Sequence, residues 1–357
     1  MSDVQTYVQT YGGDLVEDCL RLVEGGDLDG AQNLLSRVGS EPASQRTDER
    51  DADLRLAAGI VAYAAGDIES AAADLSLAVS QTRKFCGSLS GVHSFLQATH
   101  YLAMVRRSEG QYLAARQLLT EALSISEIKN ASLQDVAVLH NELGIVCKYE
   151  GLFDEAAAYY EKALLLLESI ADVEDSDTAS VYHNIGGLEF SRGDYAAAEM
   201  PARRAVAIRE RALGQESELV AADKAALSPI LFELGKMDEA EKLLREALQI
   251  LESLYGADHY EVAISIGNLA AIAQSRGRLE EAEALYTRAL GALEQHLGPE
   301  HPEIAPVLHN LGLLTRNRDP EQGRALLVRA SEILSSSVRS THPTLSAITE
   351  ALQVSDG

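Results

Sequence analysis

The tract Ser275-Arg276-Gly277-Arg278-Leu279-Glu280-Glu281-Ala282-Glu283 is one copy of a pattern that recurs along this chain. The other copies are AAGDIESAA (64–72), SEGQYLAAR (108–116), YEGLFDEAA (149–157), SRGDYAAAE (191–199) and ELGKMDEAE (233–241). Their glycines, Gly66, Gly110, Gly151, Gly193, Gly235 and Gly277, are separated by 44, 41, 42, 42 and 42 residues. A period of this length is the mark of a repeat architecture.

The positions around each glycine are filled alike. Seven residues before it stands Gly59, Ala103, Gly144, Gly186, Ser228 or Ala270. Five residues after it stands Ala71, Ala115, Ala156, Ala198, Ala240 or Ala282, and twelve after it Ala78, Ala122, Ala163, Ala205, Ala247 or Ala289. Helices approach closely only where side chains are small, so these columns predict a helix-to-helix seam. Ala282, Tyr286 and Ala289, flanked by Leu285 and Leu290, have the spacing of one buried helical face. Glycine supplies the conformation that reverses the chain between the two helices. Each unit therefore reads as a helical hairpin, and hairpins that cannot bury their apolar faces alone must stack.

Toward the ends the pattern weakens. EGGDLDGAQNLLSRV, around Gly25 and Gly26, reads as a first hairpin, followed by a polar linker from Ser40 to Asp51. NRDPEQGRALLVRASEIL lacks the turn glycine and is one residue shorter, with Ala330 in the Ala289 column. A last helix, roughly Pro343 to Val354, would cover the end of the stack. The expected organisation is a capping hairpin and linker over 1–51, a repeat array over 52–335, and a capping helix and tail over 336–357.

The small residue, the glycine turn and the two alanines in register resemble the tetratricopeptide repeat (TPR). The 42-residue period resembles the kinesin light chain type, whose hairpins are joined by LGxxHPxxA. Here that stands as Leu297-Gly298-Pro299-Glu300-His301-Pro302-Glu303-Ile304-Ala305, with a weaker copy at Tyr255 to Ala263 and the remnant Thr341-His342-Pro343. Gly298 is suited to closing one helix, Pro302 to the first turn of the next, and Glu303 to complementing its dipole. The fold expected from the resemblance is all-α, a right-handed αα-superhelix of about eight hairpins.

The same resemblance implies that the first helix of each hairpin lines a concave groove, and that an Asn two residues before the small residue bonds the backbone of an extended peptide. In this chain that column reads Tyr101, Glu142, Asn184, Ala226, Asn268 and Asn310, preceded by His100, Asn141, His183 and His309. An Asn side chain both donates and accepts, so it can hold a peptide backbone, or it can equally bond a neighbouring repeat and stitch the stack. Further along the same helices Phe190, Phe232 and Arg316 are candidates for pockets with polar edges, or for core. Chaperone-binding members grip a terminal carboxylate with basic residues at positions that here are Ser180, Ala222, Ile264, Tyr149, Ser191, Glu233 and Ser275. None of these is basic, so a carboxylate clamp is not implied.

Composition narrows the partners. The 357 residues carry 55 acidic and 30 basic side chains, a formal net charge of −25, with 46% apolar and 24% charged residues. Nucleic acid and anionic membrane are repelled by such a field, and the expected partner is a protein or peptide, neutral or basic rather than acidic. Cys19, Cys86 and Cys147 are isolated in sequence, as free thiols of a reducing compartment are. The stretch Met1 to Gly13 has no secretory pattern, and no segment reaches the roughly 18 apolar residues of a membrane span, so the expected location is the cytoplasm.

The sequence has no GxSxG, HExxH, Walker or GxGxxG motif, and neither a metal site nor a cofactor is expected. A non-catalytic scaffold or adaptor is the leading reading. A peptide-sensing regulator is the second, although the stretch before Gly25 is too short for a helix-turn-helix domain. An enzyme using the His100, His183 and His309 column is the third.

Overall fold

A computed structural model of the chain describes residues 15–40, 47–170, 176–337 and 342–353, and these form helices joined by short turns, with no strand among them. Gly12-Gly13, residues 41–46 of the linker, Thr341 and the last four residues lie outside the described residues. In chain order the helices are α1 (Leu15–Glu24), α2 (Leu28–Gly39), α3 (Asp48–Ala64), α4 (Ile68–Thr82), α5 (Leu89–Ser108) and α6 (Tyr112–Lys129). There follow α7 (Leu133–Tyr149), α8 (Phe153–Ile170), α9 (Ser176–Arg192), α10 (Tyr195–Leu213), α11 (Glu218–Glu233) and α12 (Met237–Tyr255). The last are α13 (Tyr260–Ser275), α14 (Leu279–Leu297), α15 (Ala305–Arg316), α16 (Pro320–Ser337) and α17 (Pro343–Gln353).

Every repeat glycine sits where the helix reverses. Gly66, Gly110, Gly151, Gly193, Gly235 and Gly277 have φ between 73° and 78°, a region closed to most side chains. Around Gly66, the Gly66 N–H donates to the Tyr63 carbonyl and the Asp67 N–H to the Ala62 carbonyl. This pair of bonds is the Schellman motif, which satisfies the last carbonyls of the first helix. The same pair recurs around Gly26, Gly110, Gly151, Gly193, Gly235 and Gly277. Asp27, Asp67 and Asp194, directly after their glycines, then cap the second helix by accepting from the backbone N–H three residues on.

The small-residue columns form the seams. Ala71, Ala115, Ala156, Ala198, Ala240 and Ala282 are completely buried, as is Ala330. A Cβ on Gly186 would stand 3.0 Å from the Ala202 Cβ, so α9 and α10 touch at van der Waals distance there. Ser228 uses its place in the column differently and donates its hydroxyl to the Ala240 carbonyl at 3.0 Å.

The linker between hairpins departs in detail from the sequence reading. Gly298 does close α14, with φ 87°. Pro302 begins a separate 3-10 turn, Pro302–Ile304, and α15 starts only at Ala305. His301 caps this turn, its Nδ1 accepting from the Glu303 N–H at 3.3 Å, and His259 does the same for Glu261 ahead of α13. The histidine of the linker is thus a helix cap. Pro201 lies within α10 and Pro229 within α11, and both helices run through.

Two compact units divide the chain, Met1–Val146 and Cys147–Gly357. Within the second unit α9 touches α11, α11 touches α13, α13 touches α15 and α15 touches α17, while each even-numbered helix packs between successive odd-numbered ones. The odd-numbered helices are therefore the inner layer of this stack. In the first unit α1, α3 and α5 are joined in the same way. No helix of the described residues is long and apolar enough to cross a membrane.

Candidate functional site

The inner-layer columns named from sequence lie on the odd-numbered helices. His100 is on α5 and Asn141 on α7; His183, Asn184 and Phe190 are on α9; Phe232 is on α11; Asn268 is on α13; His309, Asn310 and Arg316 are on α15. All ten are half-buried, the exposure of side chains at the margin of a packed layer. His100 and Asn141 belong to the first unit and the other eight to the second.

Several of these side chains are already bonded within the chain. His183 Nδ1 lies 2.7 Å from Asp223 Oδ1. Asp223 is buried on α11, where its other oxygen meets the Arg209 Nε at 2.8 Å. Arg209 in turn donates to the Ser180 hydroxyl. This network ties α9, α10 and α11 together and pairs a buried carboxylate with a buried guanidinium. Asn310 hydrogen-bonds the hydroxyl of Tyr286, a fully buried residue of α14. Glu142, which takes the Asn position on α7, is buried and accepts from Arg107 Nε at 2.6 Å.

The remaining candidates form a mixed surface. Phe190 leans on Tyr195, with ring centroids 5.4 Å apart, and Phe232 packs on the core of the second unit. His309 is held below the usual imidazole range by burial and by the nearby Arg316 charge. Arg316 donates from Nη1 to the Ala351 carbonyl of α17 at 3.1 Å, so the last helix lies against this end of the inner layer. In the first unit burial likewise lowers His100, against the attraction of Glu142.

Sequence reasoning passed over a further column. Glu218, Glu261 and Glu303 recur 43 and 42 residues apart at the starts of α11, α13 and the turn before α15. That period is the signal that could have found them. Tyr255 bonds Glu218, and both Tyr149 and Tyr260 donate their hydroxyls to Glu303. Burial, then the charges of Glu303 and Glu218, raise Glu261 to about 7. The Tyr260 hydroxyl is pushed upward by its burial and by Glu303.

Charged side chains also bridge successive hairpins on the turn side of the second unit. Arg203 meets Glu239, Lys236 meets Glu199, Arg276 meets Asp238, and Arg318 meets Glu283, each pair 35 to 38 residues apart in sequence. Beside them a cleft of about 810 Å³ is lined by Met237, Asp238, Glu241, Ser275, Arg276 and Arg278. Its arginines are paired with its carboxylates. Among the described residues no group of three His, Cys, Asp or Glu is placed to hold a metal ion.

Comparison with known proteins agrees with this architecture. No curated protein matches the chain by sequence. The solved structure of NprR in complex with its cognate peptide NprX is 14% identical, covers 95% of this chain and 95% of that one, and superposes with a TM-score of 0.64. A Rap protein complexed with competence and sporulation factor is 13% identical over 96% of each chain, with a TM-score of 0.62. BtubC (BKLC) from P. vanneervenii is 23% identical over 65% of this chain and 91% of that one, with a TM-score of 0.46. The family model described as the tetratricopeptide repeat matches residues 94–164, 134–211, 226–295 and 261–336, more than half of the sequence. With its Schellman turns, small-residue seams and 42-residue period, the chain belongs to the tetratricopeptide repeat family.

Proposed function

We propose that the chain is a non-catalytic scaffold or adaptor of the cytoplasm that holds an extended segment of a protein or peptide along its inner layer. The observation that carries this reading is the inner layer itself. Asn184, Asn268 and Asn310 share one register and are half-buried, and such amides offer hydrogen bonds to an extended backbone beside the half-buried rings of Phe190 and Phe232. The net charge of −25 favours a neutral or basic segment over an acidic one. Asn184, Asn268, Phe190 and Phe232 are the side chains of the second unit assigned to the partner, with His309 and Arg316 on α15 of the same unit, and His100 and Asn141 are those assigned in the first unit. His183 and Asn310 have a share in stitching repeats through Asp223 and Tyr286.

A second reading, a peptide-sensing regulator, is favoured by the near-complete overlap with NprR and Rap, whose structures hold a cognate peptide and a competence and sporulation factor. Either reading makes the same first demand of the inner layer. Asn184→Ala combined with Asn268→Ala should abolish capture of partners from the native cell, and Asn268→Ala alone should weaken it while leaving the melting temperature within about 2 °C of the parent, the range of a change below ~1 kcal/mol. Asn310→Ala serves as the stability control, because its loss frees a buried tyrosine hydroxyl. Unchanged capture by the double variant refutes the assignment.

A further inference from the structure

In a stack where each hairpin touches only its neighbours, contacts between residues 150 apart are not expected. The second unit has such contacts. Tyr149, at the end of α7, donates its hydroxyl to Glu303 Oε1 at 3.4 Å across 154 residues of sequence. Phe153, at the start of α8, meets the His342 ring edge-on with centroids 6.3 Å apart. Between them Gly151 presents its open α-carbon face, where a Cβ would stand 3.8 Å from the His342 ring. Three alternate positions at one hairpin turn thus meet two segments, one before α15 and one before α17, with three and four hairpins between. Glu303 is also held by Tyr260, so the contact is anchored to the linker of the neighbouring hairpin.

We propose that Tyr149, Gly151 and Phe153 form a latch with Glu303 and His342, which closes the second unit on itself and gates the entry of a partner segment to the inner faces of α9, α11, α13 and α15. The latch is light. One hydrogen bond and one aromatic edge contact each favour a closed state by about five- to ten-fold, which holds the ends together and still lets them part. His342 Nδ1 is buried without a hydrogen-bond partner, so the ring contributes by packing, and its removal forfeits no polar bond. The gating half of the proposal rests on the groove reading above, whereas the closure does not.

Amide hydrogen exchange on the full-length chain, paired with panning of a random-peptide display library, tests the two halves separately. His342→Ala should speed exchange of residues 150–156 about five-fold, and Phe153→Ala should do the same for residues 343–353, with α11 and α12 unchanged in both. The His342→Ala chain should also capture library peptides about five-fold better than the parent. Tyr149→Phe, which removes only the hydroxyl, should move exchange and capture the same way to a smaller extent, and it serves if His342→Ala disturbs folding. Exchange that changes only beside the substituted residue overturns the latch, and coupled exchange with unaltered peptide capture overturns the gating. Coupled exchange with no peptide captured by any variant overturns the groove reading while the latch stands.

Discussion

Replacing Glu261 by Gln should stabilise the protein, and by more as the pH rises. Glu261 stands at the start of α13 and faces Glu303 from the turn before α15, Glu218 from the start of α11 and the Tyr260 hydroxyl beside it, with Tyr149 and Tyr255 close by. Burial and the two carboxylates raise it from an ordinary 4.5 to about 7. Between pH 4.5 and about 7 the folded chain therefore holds a proton that the unfolded chain has given up. For an acid raised in this way, stability is complete below the unfolded value and is lost as pH climbs through the folded value. With 1.36 kcal/mol per unit, the ionisable side chain costs about 1 kcal/mol at pH 5 and about 3 kcal/mol at pH 8, relative to a neutral amide of the same shape. At roughly 2–4 °C per kcal/mol, the melting temperature of the glutamine variant should exceed that of the parent by about 3 °C at pH 5 and about 9 °C at pH 8. Thermal unfolding at half-unit pH steps, followed by circular dichroism, reads this directly. A difference that stays constant from pH 5 to 8, or shrinks, would refute the placement of Glu261 among carboxylates.

Asp223→Ala should cost about 3–5 kcal/mol in urea unfolding, because it leaves the buried Arg209 guanidinium without its carboxylate, whereas Asp223→Leu with Arg209→Met should cost less than the single change. Gly186→Leu should cost about 1–3 kcal/mol by driving a side chain into Ala202 across the α9–α10 seam, and Ala202→Gly in the same chain should recover part of the loss.

The repeat length, the hairpin and the site of each reversal were legible in the residues because each has a local cause. A glycine with φ near 75° can be replaced by little else, and an alanine at a seam is buried wherever the two helices cross, so both leave a periodic trace. At the weaker ends the chain reverses at Gly26 between α1 and α2, and α17 begins at Pro343. The Asn and His columns were legible as positions and not as roles. Their partners, Asp223 for His183 and Tyr286 for Asn310, lie 24 to 40 residues away, where only packing decides which polar groups meet.

What the amino-acid order determined by itself is the unit: a two-helix module whose turns and seams need only neighbours within about 40 residues. What the tertiary structure alone decided is how charges and rings from separate modules meet. It set Glu261 between two other carboxylates, and it brought Tyr149 and Phe153 to Glu303 and His342. The physical reason is accumulation: small offsets between successive hairpins add along the stack, and no short pattern records their sum.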